Sequence, residues 1–352
     1  MTTAHAWAAH AARTPFAPFN FQRRALEPQD VRIDILYCGI CHSDVHFARG
    51  EWGDPSYPCV PGHEIVGRVS AVGSAVTKFK VGDLAGVGCI VDSCGHCGSC
   101  HEGLEQYCEA GMTGTYMSVE KQSGLPTYGG YSNFIVVRES FVLHVHHKES
   151  DLPAVAPLLC AGITLWSPLR HWKAGPGKKV GIVGIGGLGH MGIKLAHALG
   201  AHVVAFTRSP GKVEECRRLG ADEVIISSNA DELAKHARSF DLIINSVSAA
   251  QNLQTFVVLL KRDATLVLVG AGTEKHTAPD AFALLMSRRS IAGSGIGGIA
   301  ETQEMLDFCA ERGITSDIEL IPVQKVDSAY DRIVASDVKY RFVLDMATLP
   351  TA

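Results

Sequence analysis

The chain has 352 residues, 46% of them hydrophobic, which is enough to bury a large core and to form two domains. A formal charge of -4 leaves no basic excess for nucleic acid, and no apolar run reaches the roughly 18 residues of a membrane span. The N-terminal MTTAHAWAAHAARTP has Arg13 as its fixed cation and lacks the apolar core of a signal peptide. The expected setting for the eleven cysteines is therefore a reducing cytoplasm.

Residues 21–150 read as short strands (VRIDILYC, IVGRVSAVG, YSNFIVV) punctuated by Gly, Pro and Asp, as in a compact antiparallel domain. Within it Cys94, Cys97, Cys100 and Cys108 form a C-x2-C-x2-C-x7-C run in a polar stretch, DSCGHCGSCHEGLEQYC, that predicts neither helix nor strand. Four thiolates from one short loop suit a tetrahedral Zn²⁺, which takes four soft ligands at about 2.3 Å and leaves no open position. Disulfides fit less well, because cysteines this close in a tight loop pair poorly. A ferredoxin-type cluster also fits less well. Its last cysteine falls three residues on and precedes proline, whereas here seven residues intervene and Glu109 follows. Cys38, Cys59, Cys89, Cys216 and Cys309 stand in no motif and are expected to be small buried hydrophobes. His144, His146 and His147 read as a solvated strand end.

From about residue 178 the pattern changes. KKVGIVGIG is a buried strand, GLGHMGIKLAHALG a helix closed by Gly200, HVVAFT the next strand and PGKVEECRRLG the next helix. EVIIS, DLIINSV, ATLVLVG and SIAGSG follow as strands with helical stretches between them. Apolar strands alternating with helices predict an α/β, doubly wound parallel sheet. Gly184-Ile185-Gly186-Gly187-Leu188-Gly189 is a G-x-G-x-x-G between the first strand and its helix, a context that favours a dinucleotide pyrophosphate over a plain turn. An NAD site places an acid about 20 residues on, to hold the ribose 2′-OH. Here the stretch is Phe206-Thr207-Arg208-Ser209-Pro210-Gly211-Lys212, which has no acid and two cations, so it predicts NADP(H) rather than NAD(H). The competing view makes Arg208 and Lys212 merely solvated residues at a helix start. The tail from about 296 reads as a helix (ETQEMLDFCAERG), short strands and a last strand, YRFVLDM, that returns to the first domain.

A second constellation is dispersed: GICHSDVH at 39–46, Gly62-His63-Glu64, and Cys160-Ala161-Gly162. Candidate Cys and His ligands beside an acid, together with a dinucleotide fold, suggest a Cys2His catalytic zinc with its fourth position open. GHEIVGRVSAVG, CHSDVH, the Cys94–Cys108 lobe, CAGIT, GIGGLGHMGIKLAHALGA and KYRFVLD together resemble the zinc-dependent medium-chain alcohol dehydrogenases. Within that family the chain is most similar to the cinnamyl alcohol dehydrogenase branch and its bacterial NADPH-dependent aldehyde reductases. The resemblance covers nearly the whole chain. It implies a GroES-like, β-rich catalytic domain (1–154 and 295–352, with a structural zinc lobe at 92–110) and a Rossmann NADP(H)-binding domain (155–294).

The resemblance further implies that Cys41, His63 and Cys160 are the catalytic zinc ligands, and that Cys94, Cys97, Cys100 and Cys108 hold a structural zinc. Glu64 matches a carboxylate that approaches the metal when the fourth site exchanges, and Asp44 one that orients the zinc-bound imidazole. Ser43 and His46 match a proton relay, and Thr164 a residue near the nicotinamide. Thr207, Ser209 and Lys212 fall where NADP-preferring relatives hold the 2′-phosphate. Trp52, Tyr116 and Ile296 match the substrate pocket. Gly295 stands where plant relatives carry an aromatic, which points to a broad pocket for aromatic and aliphatic aldehydes. The expected protein is a homodimeric, two-zinc aldehyde reductase, with small-molecule substrates and neither nucleic acid nor membrane as partner. Its rivals are an NAD-dependent polyol or secondary-alcohol dehydrogenase and a non-catalytic zinc-binding protein.

Overall fold

The structure, a computed structural model, describes residues 1–53 and 55–350. The chain forms two units, Met1–Cys160 with Gly297–Ala352, and Ala161–Ile296. No single helix among the described residues is long and apolar enough to cross a membrane.

The first unit is organised around the strand Asp30–Gly39. Val31, Ile33 and Ile35 are buried and Asp34 between them is exposed, the period-2 pattern of a strand with one face on the core. The strand pairs antiparallel with Ile65–Val72 and Phe134–Arg138, and its last residues pair with Arg341–Asp345. The strand Ile318–Pro322 adds in parallel to Arg341–Asp345, so the end of the chain supplies two strands to a sheet that begins near residue 30. Register then decides which side chains meet. Cys38 lies opposite both Ile65 and Leu344, the Gly39 N–H donates to the Glu64 carbonyl (2.9 Å), and the Ile40 N–H donates to the Phe342 carbonyl (2.9 Å). Residues 41, 63–64 and 341 are thereby brought to one end of the sheet.

The second unit contains six parallel strands: β1 (Lys179–Val183), β2 (His202–Thr207), β3 (Glu223–Ile226), β4 (Phe240–Asn245), β5 (Leu260–Leu268) and β6 (Ser290–Gly293). Their order, β3-β2-β1-β4-β5-β6, reverses between β1 and β4, the point at which open parallel sheets bind ligands at the carboxyl ends of their strands. Val204, Phe206, Phe240, Ile243 and Leu266 are fully buried in its core, because strands covered on both faces are apolar throughout.

Two expectations require correction. The cysteine lobe is not free of regular structure: Gly98–His101 is a single helical turn, with the His101 N–H bonded to the Cys97 carbonyl (3.0 Å). That turn carries Cys100 and sets it three residues after Cys97, the spacing that puts both sulfurs on one face. The histidine strand end is solvated only at His146, which is exposed. His147 is buried, which lowers its pKa, and His144 stacks on Phe79 at 4.1 Å. The helix Ile299–Arg312 covers this stretch, its Gln303 bonding both the N–H (2.8 Å) and the carbonyl (3.1 Å) of His144.

Candidate active site

Cys41, His63, Glu64 and Cys160 are all buried and offer four ligand atoms within 4.8 Å of one another. Cys41 caps the helix His42–Ala48, His63 and Glu64 precede the strand Ile65–Val72, and Cys160 ends a short 3-10 turn. The Sγ atoms of Cys41 and Cys160 are 3.8 Å apart. Two sulfurs held at about 2.3 Å by a tetrahedral zinc lie about 3.8 Å from each other, so the donors fit that ion.

Asp44, fully buried, ties the pieces together. It accepts from the Cys41 N–H (2.8 Å) and the Gly62 N–H (3.2 Å), and lies 3.3 Å from His63 Nδ1. With Nδ1 turned to Asp44, Nε2 is the nitrogen left to bind a metal. Without a cation the set shares protons. The bond to Cys160 and the nearby His63 hold the Cys41 thiol well below its usual range against burial. Burial opposes a charged His63, yet Cys89 and Asp44 raise its pKa well above normal. A thiolate beside an imidazolium is the state from which a divalent cation displaces a proton.

Sequence reasoning did not single out Arg341. Its guanidinium donates to Glu64 Oε1, and both side chains are buried. Burial pushes Glu64 upward and Arg341 pulls it back, while Glu64 and the two cysteines raise Arg341 against its own burial. The direct bond favours the ionised pair. Glu64 Oε2 has no partner among the described residues and is a fourth donor for a metal.

The helix that follows Cys41 carries Ser43, half-buried, and His46, buried. His46 Nδ1 is 2.7 Å from Glu51 Oε2, and Glu51 in turn accepts from Arg13 (2.9 Å). Trp52 stacks on the His46 ring at 4.6 Å, leaving Nε2 buried and unpartnered among the described residues. Glu51 also escaped the sequence reading, since five residues past a histidine is no helical or strand repeat. Tyr116 lies parallel to His63 at 5.7 Å and edge-on to Phe47 at 5.5 Å. Trp52 and Tyr116 are thus at the site, whereas Gly295 and Ile296 belong to the second unit.

Cys94, Cys97, Cys100 and Cys108 form a separate group whose ligand atoms also lie within 4.8 Å of one another, with Cys94 and Cys100 3.9 Å apart. Backbone N–H groups point at the sulfurs: Cys94 N to Cys108 Sγ (3.3 Å), Cys97 N to Cys94 Sγ (3.3 Å) and Glu109 N to Cys97 Sγ (3.5 Å). Such donors, the His96 N–H foremost, pull the Cys94 thiol down to about 6. The Cys97 thiol is lowered too, while Cys100, against its bond to Ser93, is pushed up to about 11 by desolvation and its sulfur neighbours; the four converging sulfurs fit a closed tetrahedral ion.

In the second unit the glycine turn joins β1 to the helix Gly189–Ala198. Gly184 has φ +86°, a Cβ on Gly189 would strike the Gly184 carbonyl, and a Cβ on Gly186 would meet nothing within 4 Å. Gly184 and Gly189 shape the turn and Gly186 leaves an open cradle beside a helix N-terminus, which fits a pyrophosphate. Gly187 and Leu188 complete the turn and are half-buried. At the end of β2, Thr207 is buried and its Oγ1 accepts from the Ser209 N–H (3.1 Å), while Arg208 and Ser209 are exposed. Lys212 Nζ donates to the Ile185 carbonyl (3.0 Å) and so spans back to the glycine turn. Thr164 is buried on the helix Ala161–His171.

Residues 27–147 match the alcohol dehydrogenase GroES-like domain and residues 187–311 the zinc-binding dehydrogenase family. The chain is 61% identical to aldehyde reductase YahK of Escherichia coli over 97% of both chains. Among solved structures it resembles the cinnamyl alcohol dehydrogenase SbCAD4 of Sorghum bicolor (42% identity, TM-score 0.95, all of both chains). It also resembles a cinnamyl alcohol dehydrogenase from Helicobacter pylori complexed with NADP(H) (40% identity, TM-score 0.90, 98% of this chain and 99% of that one). The chain belongs to the zinc-dependent medium-chain alcohol dehydrogenases.

Proposed function

We propose that this enzyme reduces aromatic and aliphatic aldehydes to primary alcohols with NADPH, and catalyses the reverse oxidation with NADP⁺. The observation that carries this reading is the buried Cys41–His63–Cys160 donor set, with Glu64 as an exchangeable fourth donor. When bound, zinc supplies a Lewis acid for the carbonyl oxygen and NADPH supplies the hydride. Cys41 and Cys160 hold the metal's charge near neutral, and Asp44 keeps His63 in the metal-binding tautomer. Ser43 passes a proton to the developing alkoxide and His46 resupplies it, with Glu51 fixing the His46 ring. Thr207, Arg208, Ser209 and Lys212 receive the 2′-phosphate, and Thr164 lies against the nicotinamide. Cys94, Cys97, Cys100 and Cys108 hold a second, structural zinc.

The lack of an acid after β2 speaks against the NAD-linked polyol alternative. Gly295 supports a broad pocket; a single aldehyde favoured a hundredfold in kcat/KM, about 2.7 kcal/mol, would overturn that part. The exposed Phe282 (69%), Leu285 (70%) and Met286 (71%) just upstream of the edge strand β6 support a homodimer, which light scattering tests. Two thiolate-rich metal sites support a cytoplasmic location, which cell fractionation tests. The decisive experiment measures zinc content and benzaldehyde reduction with NADPH and NADH. Two zinc ions per chain and at least about a tenfold preference for NADPH are expected from the two ligand sets and the charged phosphate contacts. Equal kcat/KM with both cofactors, or no aldehyde turnover, would overturn the reading.

A further inference from the structure

Five rings form one chain of contacts through the reactive centre, and the middle one, Phe47, has no part in the chemistry described so far. At one end Trp52 stacks on His46, with ring centroids 4.6 Å apart and planes 20° from parallel. At the other Tyr116 lies parallel to His63 (5.7 Å, 15°). Phe47, half-buried, stands edge-on to both, 5.4 Å from Trp52 at 87° and 5.5 Å from Tyr116 at 82°. Trp52 and Tyr116 belong to loops, so no helix or strand sets the angle of either ring. Phe47 sits on the helix His42–Ala48, whose start is fixed by the bond from the Cys41 N–H to Asp44 (2.8 Å). Among the described residues it is the one ring in contact with both loop aromatics.

We infer that Phe47 is a positioning residue for specificity: it holds Trp52 and Tyr116 at fixed angles and so favours aromatic over short aliphatic aldehydes. The inference rests on the reading that this enzyme reduces aldehydes against those two rings. Tyr116 adjoins the metal-binding set through His63 and Trp52 adjoins the proposed relay through His46, so both rings border the place where the carbonyl reacts. Near-perpendicular packing sets the positive edge of one ring against the negative face of another, and neither ring can turn without losing that contact. A flat aromatic substrate gains from ring faces already set at fixed angles, because no side-chain freedom is then lost on binding. A three-carbon chain offers too little surface to profit. Phe47 has no donor or acceptor group, so it acts through its two neighbours and its effect falls on substrate binding rather than on proton transfer.

The test compares benzaldehyde with propanal, both with NADPH, in the parent, Phe47→Leu, Phe47→Ala and Phe47→Tyr, with Trp52→Ala and Tyr116→Ala as references. Leu keeps apolar bulk without a ring, Ala removes both, and Tyr keeps the ring. In the Leu and Ala proteins KM for benzaldehyde is expected to rise about tenfold with kcat near the parent value, the worth of one or two edge-on ring contacts. Propanal kinetics should change little, and Tyr should restore the parent KM. A parent ratio of the two kcat/KM values in whichever of Leu or Ala folds would overturn the inference. So would equal losses for both aldehydes, the result of a merely structural role, or a Tyr protein that behaves like Leu. If the ratio also stays at the parent value in Trp52→Ala and Tyr116→Ala, the assignment of those rings to the substrate fails with it. A parent that reduces neither aldehyde would refute the proposed function itself.

Discussion

The two cysteine-rich centres of the first unit differ in how they are made. The Cys94–Cys108 lobe takes all its donors from one fifteen-residue loop, with its own backbone N–H groups aimed at the sulfurs. The Cys41 centre draws on residues more than a hundred positions apart and depends on strand register to bring them together. Only the second carries a carboxylate among its donors, a buried counter-ion and an adjoining histidine whose ring is oriented by a carboxylate. A closed set serves as a brace, and an exchangeable one permits chemistry.

Substitutions test this contrast, the largest effect first. Cys41→Ser is expected to lose one zinc and about a thousandfold in aldehyde reduction, the several kcal/mol of Lewis-acid stabilisation, with circular dichroism unchanged. Arg341→Met leaves the Glu64 carboxylate buried without its cation. It should cost about 3–5 kcal/mol in denaturant unfolding, and a much smaller loss would mean that Glu64 takes up a proton instead. Cys97→Ser should lose the other zinc and lower Tm by roughly 5–10 °C. If both cysteine variants lost activity equally at full stability, the division into brace and reactive centre would fail. Glu51→Gln is expected to have the smallest effect, about a tenfold fall in kcat with KM unchanged and an altered pH–rate profile, because only His46, the proposed relay, is disturbed.

Much of this was legible in the sequence because it is local. The glycine turn follows an apolar run directly, and the stretch after β2 shows its missing acid within a few residues. The cysteine lobe is contiguous, although its helical turn at Gly98–His101 was not foreseen in so polar a segment. The dispersed motifs suggested a Cys2His set, but Cys41, His63 and Cys160 were singled out within it only through resemblance to a family, since no spacing rule joins them. Glu51 and Arg341 stayed hidden for the same reason. Each is chemically ordinary until a sheet or loop sets it against a partner.

By itself, then, the sequence determined the strand–helix alternation that begins near residue 178, the glycine turn and the contiguous cysteine set, all encoded in windows of fewer than about twenty residues. Tertiary structure alone decided which side chains surround the reactive centre. The pairing of Asp30–Gly39 with Ile65–Val72 on one side and Arg341–Asp345 on the other sets Cys41, Glu64 and Arg341 face to face. A one-residue slip in either register would turn those side chains to the opposite face, and no local pattern records that alignment.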